Sequence, residues 1–441
     1  MMYEPGTKSE RKNGGRMKRR AFLEKSLALG VGGSAAISLL SACGTSANAA
    51  AGVTYWNLFG GGDGARMIQM QDMFTKSHPD IALKAVTLAW GQPYYTKVAM
   101  SAAGGRAPDV GICHLSRLST FAAMNFLDPF DIDLLGQVGI TEQNFLPEVW
   151  QRATYNGKLY ALPLDTHPYV MYYNTDVCKK AGLLDADNNL KPMQGPDQLI
   201  SAFKAAQSVT GFTGIAFLDS WRLFDSLYGQ LGGKILSPDA KEIVLDDDKA
   251  EQALNFMADL TLKSKVMPAN IDSVAVFGSG KSGFLWNGEW EVTTFITQKT
   301  PFNMIPFPNV FGNTHVWGDS HSFILPHQAY PDKGRQRSAY EFMASMLKEG
   351  QVWAEGGHIP AYLPVATSDA YKQLKPQSNY ANAAADVVAD PAAWFSGAGS
   401  EFETQANGAF QTILLGQLTP KQGIQQFKKA IQKLINTPSP I

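Results

Sequence analysis

Polar and aromatic side chains follow three predicted β-strands of the 441-residue chain. Such side chains donate and accept hydrogen bonds and offer flat apolar faces, which is the chemistry that holds a small polar molecule. In open α/β sheets the loops at the carboxyl ends of the strands meet around one crevice, so we expect these side chains to lie together. They are Phe59 and Asp63 after the first strand, His114, Ser116 and Arg117 after the third, and Asp219, Trp221 and Arg222 after a later strand.

Motifs for phosphate and metal binding are incomplete. Gly280-Lys281-Ser282 lacks the earlier glycine of a phosphate-binding loop, because Ala275 occupies that position. His315, Asp319 and His321 carry metal-ligating groups, but the seven histidines of the chain show no paired ligand spacing. The sequence therefore predicts neither a cofactor nor a metal.

Alternating strand and helix patterns form the framework that positions these loops. Strands are predicted at 53–58, 81–88, 109–114 and 213–218, and helices at 65–77, 94–103, 175–182, 196–210, 221–231, 247–265 and 420–435. This alternation indicates an α/β fold in which helices cover both faces of mostly parallel sheets.

A different pattern surrounds Asp165, His167 and Pro168. Short extended runs at 159–163 and 170–173 flank these residues. Because proline cannot donate to a strand ladder, Pro168 predicts that no regular strand passes through this point. We interpret the segment as a crossover between two lobes.

The first 42 residues are predicted to be an export signal. Eight Lys and Arg and three acidic residues precede an apolar stretch at 26–42. This stretch is shorter than the roughly 20 residues of a transmembrane helix. Residues 18–23 resemble a twin-arginine signal, and residues 40–43 resemble a lipobox in which Cys43 receives the lipid. Residues 43–52 are predicted to be a tether, and translation starts at either Met1 or Met17.

Composition narrows the classes of partner. Residues 43–441 carry 30 Lys and Arg against 36 Asp and Glu, a net charge near −6, which excludes nucleic acid. Roughly 390 residues suffice for two domains with their own cores. Cys113 and Cys178 each lie in an apolar run and are predicted to be buried thiols, with a disulfide between them as the less favoured alternative.

Short motifs spread along the chain resemble the extracellular solute-binding proteins of ABC sugar importers, a family that includes maltose- and oligosaccharide-binding proteins. They are Val53-Thr54-Tyr55-Trp56, Phe74 with His78-Pro79-Asp80-Ile81, Gly104-Gly105-Arg106-Ala107-Pro108-Asp109-Val110, Tyr160-Ala161-Leu162-Pro163, Tyr172-Tyr173-Asn174, Ala181-Gly182-Leu183 and Asn287-Gly288-Glu289-Trp290. Each motif is weak alone, but their order and spacing are specific.

The resemblance implies a two-lobed fold with the ligand between the lobes and hinge crossings near 163–168, 317–323 and 360–365. The lobes would comprise 53–163 with 323–360, and 168–317 with 365–441. Trp290 is the expected stacking platform for a sugar, and Asp165, His167, Trp317 and Asp319 are further expected contacts. The segment 355–358 is interpreted instead as a helix end with its glycine cap.

The resemblance further implies a monomeric lipoprotein on the outer face of the membrane that delivers a mono- or oligosaccharide to an ABC importer and catalyses nothing. One alternative keeps the fold but changes the ligand to a glycerol phosphate, a polyamine or another solute. The other is a secreted glycoside hydrolase, which needs two carboxylates about 5 to 9.5 Å apart. No pair stands out by spacing among Asp63, Asp165, Glu289 and Asp319, and no Gly-x-Ser-x-Gly nucleophile motif occurs.

Overall fold

The computed structural model describes residues 52–438. The predicted export signal, the lipobox with Cys43 and nearly all of the predicted tether lie outside these residues. Between residues 52 and 438, none of the helices combines the length and the apolar character needed to cross a bilayer.

The strands and helices alternate along most of this region. The strands are β1 (Val53–Asn57), β2 (Leu83–Thr87), β3 (Val110–His114), β4 (Leu127–Asp128), β5 (Thr154–Tyr155), β6 (Lys158–Leu159), β7 (Ala161–Pro163), β8 (Asp165–Asn174), β9 (Thr213–Phe217), β10 (Ser282–Gly288), β11 (Phe302–Pro306), β12 (Val316–Asp319), β13 (His321–Pro326), β14 (Ile359–Pro360) and β15 (Val387–Val388). The α-helices are α1 (Gly61–Ser77), α2 (Gln92–Ala103), α3 (Leu115–Ala123), α4 (Ile132–Gln137), α5 (Pro147–Arg152), α6 (Thr175–Lys180), α7 (Gly195–Thr210), α8 (Ser220–Gln230), α9 (Asp247–Ala258), α10 (Ser273–Gly278), α11 (Val292–Thr297), α12 (Lys333–Lys348), α13 (Gly350–Glu355), α14 (Leu363–Ala366), α15 (Asp369–Gln373), α16 (Glu401–Leu414) and α17 (Pro420–Asn436).

The first lobe is built on a sheet with the strand order β2-β1-β3-β13-β4, to which β7 adds by pairing with β13. β1 pairs in parallel with β2 and β3, whereas β13 is antiparallel to β3. Helix α1 packs on this sheet because Met67, Met70 and Phe74 recur on one face, and all three are buried. Parallel pairing thus occurs where a helix joins the strands, and antiparallel pairing occurs where the chain returns from the second lobe.

The second lobe is built on a sheet with the order β15-β12-β8-β10-β9, and β11 and β14 also pair with β8. Its core forms between the sheet and helices such as α7, whose Phe203 meets Trp286 of β10 edge to face with ring centroids 5.5 Å apart. The predicted two-lobed α/β fold is confirmed. The prediction of mostly parallel sheets is wrong, because antiparallel strand pairs outnumber parallel pairs in both sheets.

The hinge differs from the prediction at Pro168. β8 is one continuous strand that passes through this residue. It can do so because Pro168 pairs only with Gly318 of β12, while the ladders to β10 and β11 end at Tyr169 and Val170. One side of Pro168 is therefore unpaired, and its missing N–H removes no ladder hydrogen bond.

The chain passes through the hinge region three times. It leaves the first sheet after β7 and enters the second at β8, and it returns between β12 and β13. The third pass is β14, whose two residues pair with Thr166 and Asp165 of β8. Asp165 therefore lies where all three passes meet.

Two smaller expectations concern the cysteines and the helix ends. Cys113 and Cys178 are free and buried, as predicted, and they lie in the cores of different lobes. The predicted helix at 65–77 starts earlier, at Gly61, so Asp63 belongs to its first turn. The predicted helix at 247–265 is α-helical only to Ala258 and continues as a π-helix over Asp259–Lys263.

Candidate functional site

A cavity of about 400 Å³ lies between the two lobes, within the range of about 300–1,000 Å³ that small-molecule sites occupy. The carboxyl ends of β1, β3, β9 and β10 all contribute to it directly or through the residues that follow. Its lining consists of Leu58, Phe59, Gly60, Asp63, Trp90, His114, His167, Leu218, Asp219, Arg222, Trp290, Trp317, His321 and Ala398.

Aromatic rings form much of the wall. Trp290 follows β10, and its ring lies so close to the backbone of Gly288 that a Cβ there would come within 1.8 Å of it. Trp290 and Trp317 meet edge to face with centroids 6.5 Å apart. Trp90, on the opposite lobe, is 50% exposed. The cavity therefore offers indole faces from both lobes.

The one arginine of the cavity wall is paired with two acidic side chains. The guanidinium of Arg222 lies 4.3 Å from the centre of the Trp317 ring. It forms an ion pair with Asp219, and its Nη2 lies 3.3 Å from Oε1 of Glu403. Burial opposes its charge, but these carboxylates outweigh burial and raise the pKa of Arg222. Its positive charge is thus balanced within the protein.

Three imidazoles lie side by side on the cavity wall, with ring centroids 4.2 to 5.4 Å apart. Nδ1 of His114 is 2.6 Å from the Tyr95 hydroxyl, and Nδ1 of His167 and His321 are 3.0 and 2.7 Å from the two oxygens of Asp165. Burial lowers the pKa of His167 to about 3 and that of His114 well below its ordinary value. These two imidazoles are therefore neutral, and since Nδ1 is already engaged, Nε2 is the nitrogen available for further contacts.

A buried polar cluster lies behind these imidazoles. Nε2 of His358 is 2.9 Å from Oδ1 of Asp63, and its Nδ1 is 3.1 Å from Glu289 and 3.3 Å from Asp165. Burial raises the pKa of Glu289 to about 8. For His358 and Asp165 burial opposes the charged form. The pKa of His358 is nevertheless raised, chiefly by Asp63 and then by Asp165, and that of Asp165 is lowered, chiefly by His321 and His167 and then by His358. Because Asp63 belongs to α1 and Glu289 follows β10, His358 links the two lobes.

A second link between the lobes is made by the loop 396–399, which precedes α16. The amide of Ala398 donates to Oγ of Ser116 at 3.0 Å, and Arg117 donates to the carbonyl of Ser396 at 3.2 Å. Gly397 has φ +94°, and a Cβ on it would lie 2.7 Å from the carbonyl oxygen of Ser116. The loop therefore approaches α3 through its main chain.

Eight of the thirteen predicted ligand contacts line the cavity. Their contact with a ligand stays a prediction. They are Phe59, Asp63, His114, His167, Asp219, Arg222, Trp290 and Trp317.

The other five predicted contacts lie outside the cavity lining, where they hold other parts of the structure together. Ser116 and Arg117 join α3 to the loop 396–399, and Asp319 accepts hydrogen bonds from the amide and the hydroxyl of Ser116. Asp165 holds the imidazoles described above. Trp221 is fully buried in the core of the second lobe, where it meets Phe402 edge to face.

Sequence reasoning missed six lining residues. Two of them, Trp90 and His321, have side chains that could contact a sugar. Trp90 stands three residues after β2. The strand-end rule, by which polar and aromatic residues that follow a strand are expected to line the crevice, found His114 and would have found Trp90 too. His321 belongs to the segment 317–321 at the second crossing, but within that segment only Trp317 and Asp319 were predicted as contacts. The remaining four are small or aliphatic, and their residue types carry no chemical signal: Leu58, Gly60, Leu218 and Ala398.

Known proteins share both the sequence pattern and this architecture. The family model for bacterial extracellular solute-binding proteins matches residues 60–353. An arabinooligosaccharide-binding protein of Bacillus subtilis is 28% identical over 223 residues, and the match spans about half of each protein, 49% of this chain and 49% of the relative. An sn-glycerol-3-phosphate-binding periplasmic protein of Yersinia enterocolitica is 24% identical over 386 residues, which covers 80% of this chain and 82% of the relative.

Solved structures agree on the fold. The GacH receptor of Streptomyces glaucescens, whose structure was solved unliganded and with acarbose, superposes with a TM-score of 0.75 at 20% identity and covers 88% of this chain and 98% of its own. The family model spans most of both lobes and the first two passes through the hinge. The chain belongs to the bacterial extracellular solute-binding proteins.

Proposed function

We propose that this protein binds a neutral carbohydrate in the interlobe cavity and delivers it to an ABC importer. The proposal rests on the composition of the cavity wall. The indoles of Trp90, Trp290 and Trp317 lie there beside polar groups whose charges are already paired within the protein. A sugar has C–H faces that pack on flat rings and a rim of hydroxyls that exchange hydrogen bonds. The arabinooligosaccharide-binding relative supports the same class of ligand.

Charge pairing argues against the glycerol phosphate alternative, although one relative is a glycerol-3-phosphate-binding protein. A phosphate dianion needs cations or several aligned donors. Arg222 is balanced by Asp219 and Glu403, and the low pKa of His114 and His167 keeps both neutral. The polyamine alternative is weakened in the same way, because the two lining carboxylates, Asp63 and Asp219, already face His358 and Arg222.

The hydrolase alternative lacks a suitable pair of carboxylates. Of the four candidates, only Asp63 lines the cavity, and the other lining carboxylate, Asp219, is held in an ion pair with Arg222, as Asp63 is held by His358. Glu289, Asp165 and Asp319 are at most 1% exposed and lie behind the wall, where a glycosidic bond cannot reach them. We therefore propose that the cavity binds its sugar without chemical change, in keeping with a family of binding proteins.

The deciding experiment is a thermal-shift screen followed by calorimetry, using arabino- and malto-oligosaccharides, their monosaccharides, glycerol phosphates and polyamines. A ligand that binds only the native protein raises its melting temperature. We expect a saccharide to do so and to be recovered intact afterwards. A response to glycerol 3-phosphate alone would overturn the proposed ligand class, and release of free monosaccharide would overturn the binding-only proposal.

We further propose that the lobes comprise 53–163 with 323–360, and 168–317 with 365–441, and that the described arrangement is a closed form. Interlobe contacts through His358 and through the loop 396–399 support this. A ligand that touches both lobes then shifts the population towards closure by its preference for that form.

Gly397→Ala is expected to weaken saccharide binding about 10-fold, which corresponds to roughly 1.4 kcal/mol. The added methyl would clash with Ser116 and Arg117 only when the lobes are closed. The strain of an alanine at φ +94° exists in open and closed forms alike, so it lowers stability without lowering affinity. Calorimetric titration with the saccharide found in the screen measures the effect.

Gly211→Ala is the matched control for this prediction. Gly211 also has a positive φ, of +66°, but nothing lies within 4 Å of its Cβ position. We expect it to reproduce the loss of stability and leave the affinity unchanged. Equal affinities for both variants and for the unmodified protein would show that the loop 396–399 plays no part in closure.

Finally, we propose that export ends in lipid attachment at Cys43, as the segment 40–43 indicates. A maltooligosaccharide-binding relative from Streptococcus pneumoniae is itself a lipoprotein. Cys43→Ser is expected to move the protein from the membrane fraction to the medium or periplasm, as measured by immunoblotting of cell fractions. A variant that remains in the membrane fraction would contradict the proposed anchor.

A further inference from the structure

Four side chains at the junction of the three hinge passes carry groups that can ligate a metal. Asp165, His167, His321 and His358 each place one such atom within 4.8 Å of those of the other three. They are buried, with at most 5% of any residue exposed. The sequence predicted no metal because these residues come from three distant segments, and only the fold brings them together.

The imidazole nitrogens lie about as close to Asp165 as neighbouring ligands of one ion lie to each other. Nδ1 of His167, His321 and His358 lies 3.0, 2.7 and 3.3 Å from an oxygen of Asp165. Ligand atoms bonded at about 2.1 Å to a shared ion stand about 3.0 to 3.4 Å apart in octahedral or tetrahedral geometry. Binding of an ion would replace these hydrogen bonds and draw together the ligating atoms that are now up to 4.8 Å apart.

Two polar groups in the cluster have no hydrogen-bond partner. Nδ1 of His358 makes no hydrogen bond of acceptable geometry, and neither oxygen of Glu289 does, although Oε1 lies 3.1 Å from that nitrogen. Both side chains are completely buried. Buried polar groups are otherwise almost always paired, so these atoms have capacity for a further partner.

The local charge indicates that the species is a cation. Asp165 is a fully buried carboxylate, and Asp63 adds a second beside His358. Within residues 52–438, the basic side chains that contact these two carboxylates are all imidazoles. Imidazole nitrogens together with carboxylate oxygens suit Zn²⁺ and other first-row transition ions rather than Mg²⁺ or Ca²⁺.

We propose that Asp165, His167, His321 and His358 bind a divalent first-row transition-metal ion, with Glu289 beside it. The ion would join β8, β13 and the segment before β14, which are the three passes of the hinge. It would also hold His167 and His321, two imidazoles of the cavity wall. This proposal does not depend on the identity of the sugar.

The test starts from protein purified without a histidine tag and stripped with a chelator. Titration with Zn²⁺ is expected to give one saturable site per chain, and Mg²⁺ is expected to give none. Crystals soaked in Zn²⁺ should show an anomalous difference peak within bonding distance of the four side chains. No saturable Zn²⁺ binding, or an anomalous peak only at the protein surface, would overturn the proposal.

Variants link the binding to the cluster. His358→Gln is expected to weaken Zn²⁺ binding by at least about 100-fold, since loss of an orienting neighbour alone costs 10- to 100-fold. The control is His327→Gln, because Nδ1 of His327 also lies 2.7 Å from a carboxylate, that of Asp128, but at a half-exposed site. Equal Zn²⁺ affinity of His358→Gln and the unmodified protein would overturn the assignment. If His358→Gln fails to fold, the anomalous map of the unmodified protein decides.

Discussion

Trp290→Ala is expected to abolish most saccharide binding while the protein keeps its fold. Trp290 forms part of the cavity wall, stands next to Trp317 and follows β10 rather than lying inside it. Truncation of a central tryptophan in a binding site costs about 2–4 kcal/mol, which is roughly a 30- to 1,000-fold loss of affinity. Calorimetry with the saccharide from the screen measures the loss.

The fold of this variant is checked by its melting temperature without ligand. Trp290 is half-buried and packs at the margin of the second core, so the unliganded protein should unfold close to the normal temperature. Trp290→Phe keeps a flat ring and should recover part of the affinity. Unchanged affinity in Trp290→Ala would remove this residue from the proposed site.

Trp221→Ala is expected to have the opposite result, a large loss of stability. Trp221 is 0% exposed, packs against Phe402 with ring centroids 4.9 Å apart and donates from Nε1 to Asp390 at 2.8 Å. Removal of a buried tryptophan costs about 3–5 kcal/mol through lost apolar contacts and the cavity left behind. The midpoint of chemical denaturation measures the effect.

Comparison of the two variants therefore distinguishes a residue of the binding site, whose loss lowers affinity, from a residue of the core, whose loss lowers stability. The part of the Trp221→Ala protein that remains folded should bind the saccharide far better than Trp290→Ala does. If Trp221→Ala instead loses affinity and keeps its stability, Trp221 contacts the ligand as the sequence suggested, and the cavity wall must be assigned again.

The strand-end rule explains which parts of the site the sequence could predict. His114 and Asp219 come directly at or after strands whose alternation with helices was clear, so their meeting at one edge followed from the fold class. Trp290 followed from the family motif. These predictions need only the order of elements along the chain.

Side-chain direction was harder to predict. Asp219 and Arg222 are three residues apart and share one face at the start of α8, whereas Trp221 is turned about 100° from Arg222 and faces the core. All three have suitable chemistry, and the sequence does not say where the helix axis lies relative to the cavity. The cluster around Asp165 was invisible for a related reason, because its members are distant in sequence and meet only when the hinge is folded.

The position of β13 has a consequence for how the polypeptide matures. This strand lies between β3 and β4 in the first sheet, yet it is made only after residues 168–317, the first segment of the second lobe. Until it arrives, β3 has an unpaired edge, and such edges invite pairing with other chains. The first segment of the second lobe is thus inserted within the first lobe, and a nascent chain that ends before residue 321 is expected to require protection from aggregation until synthesis passes this strand.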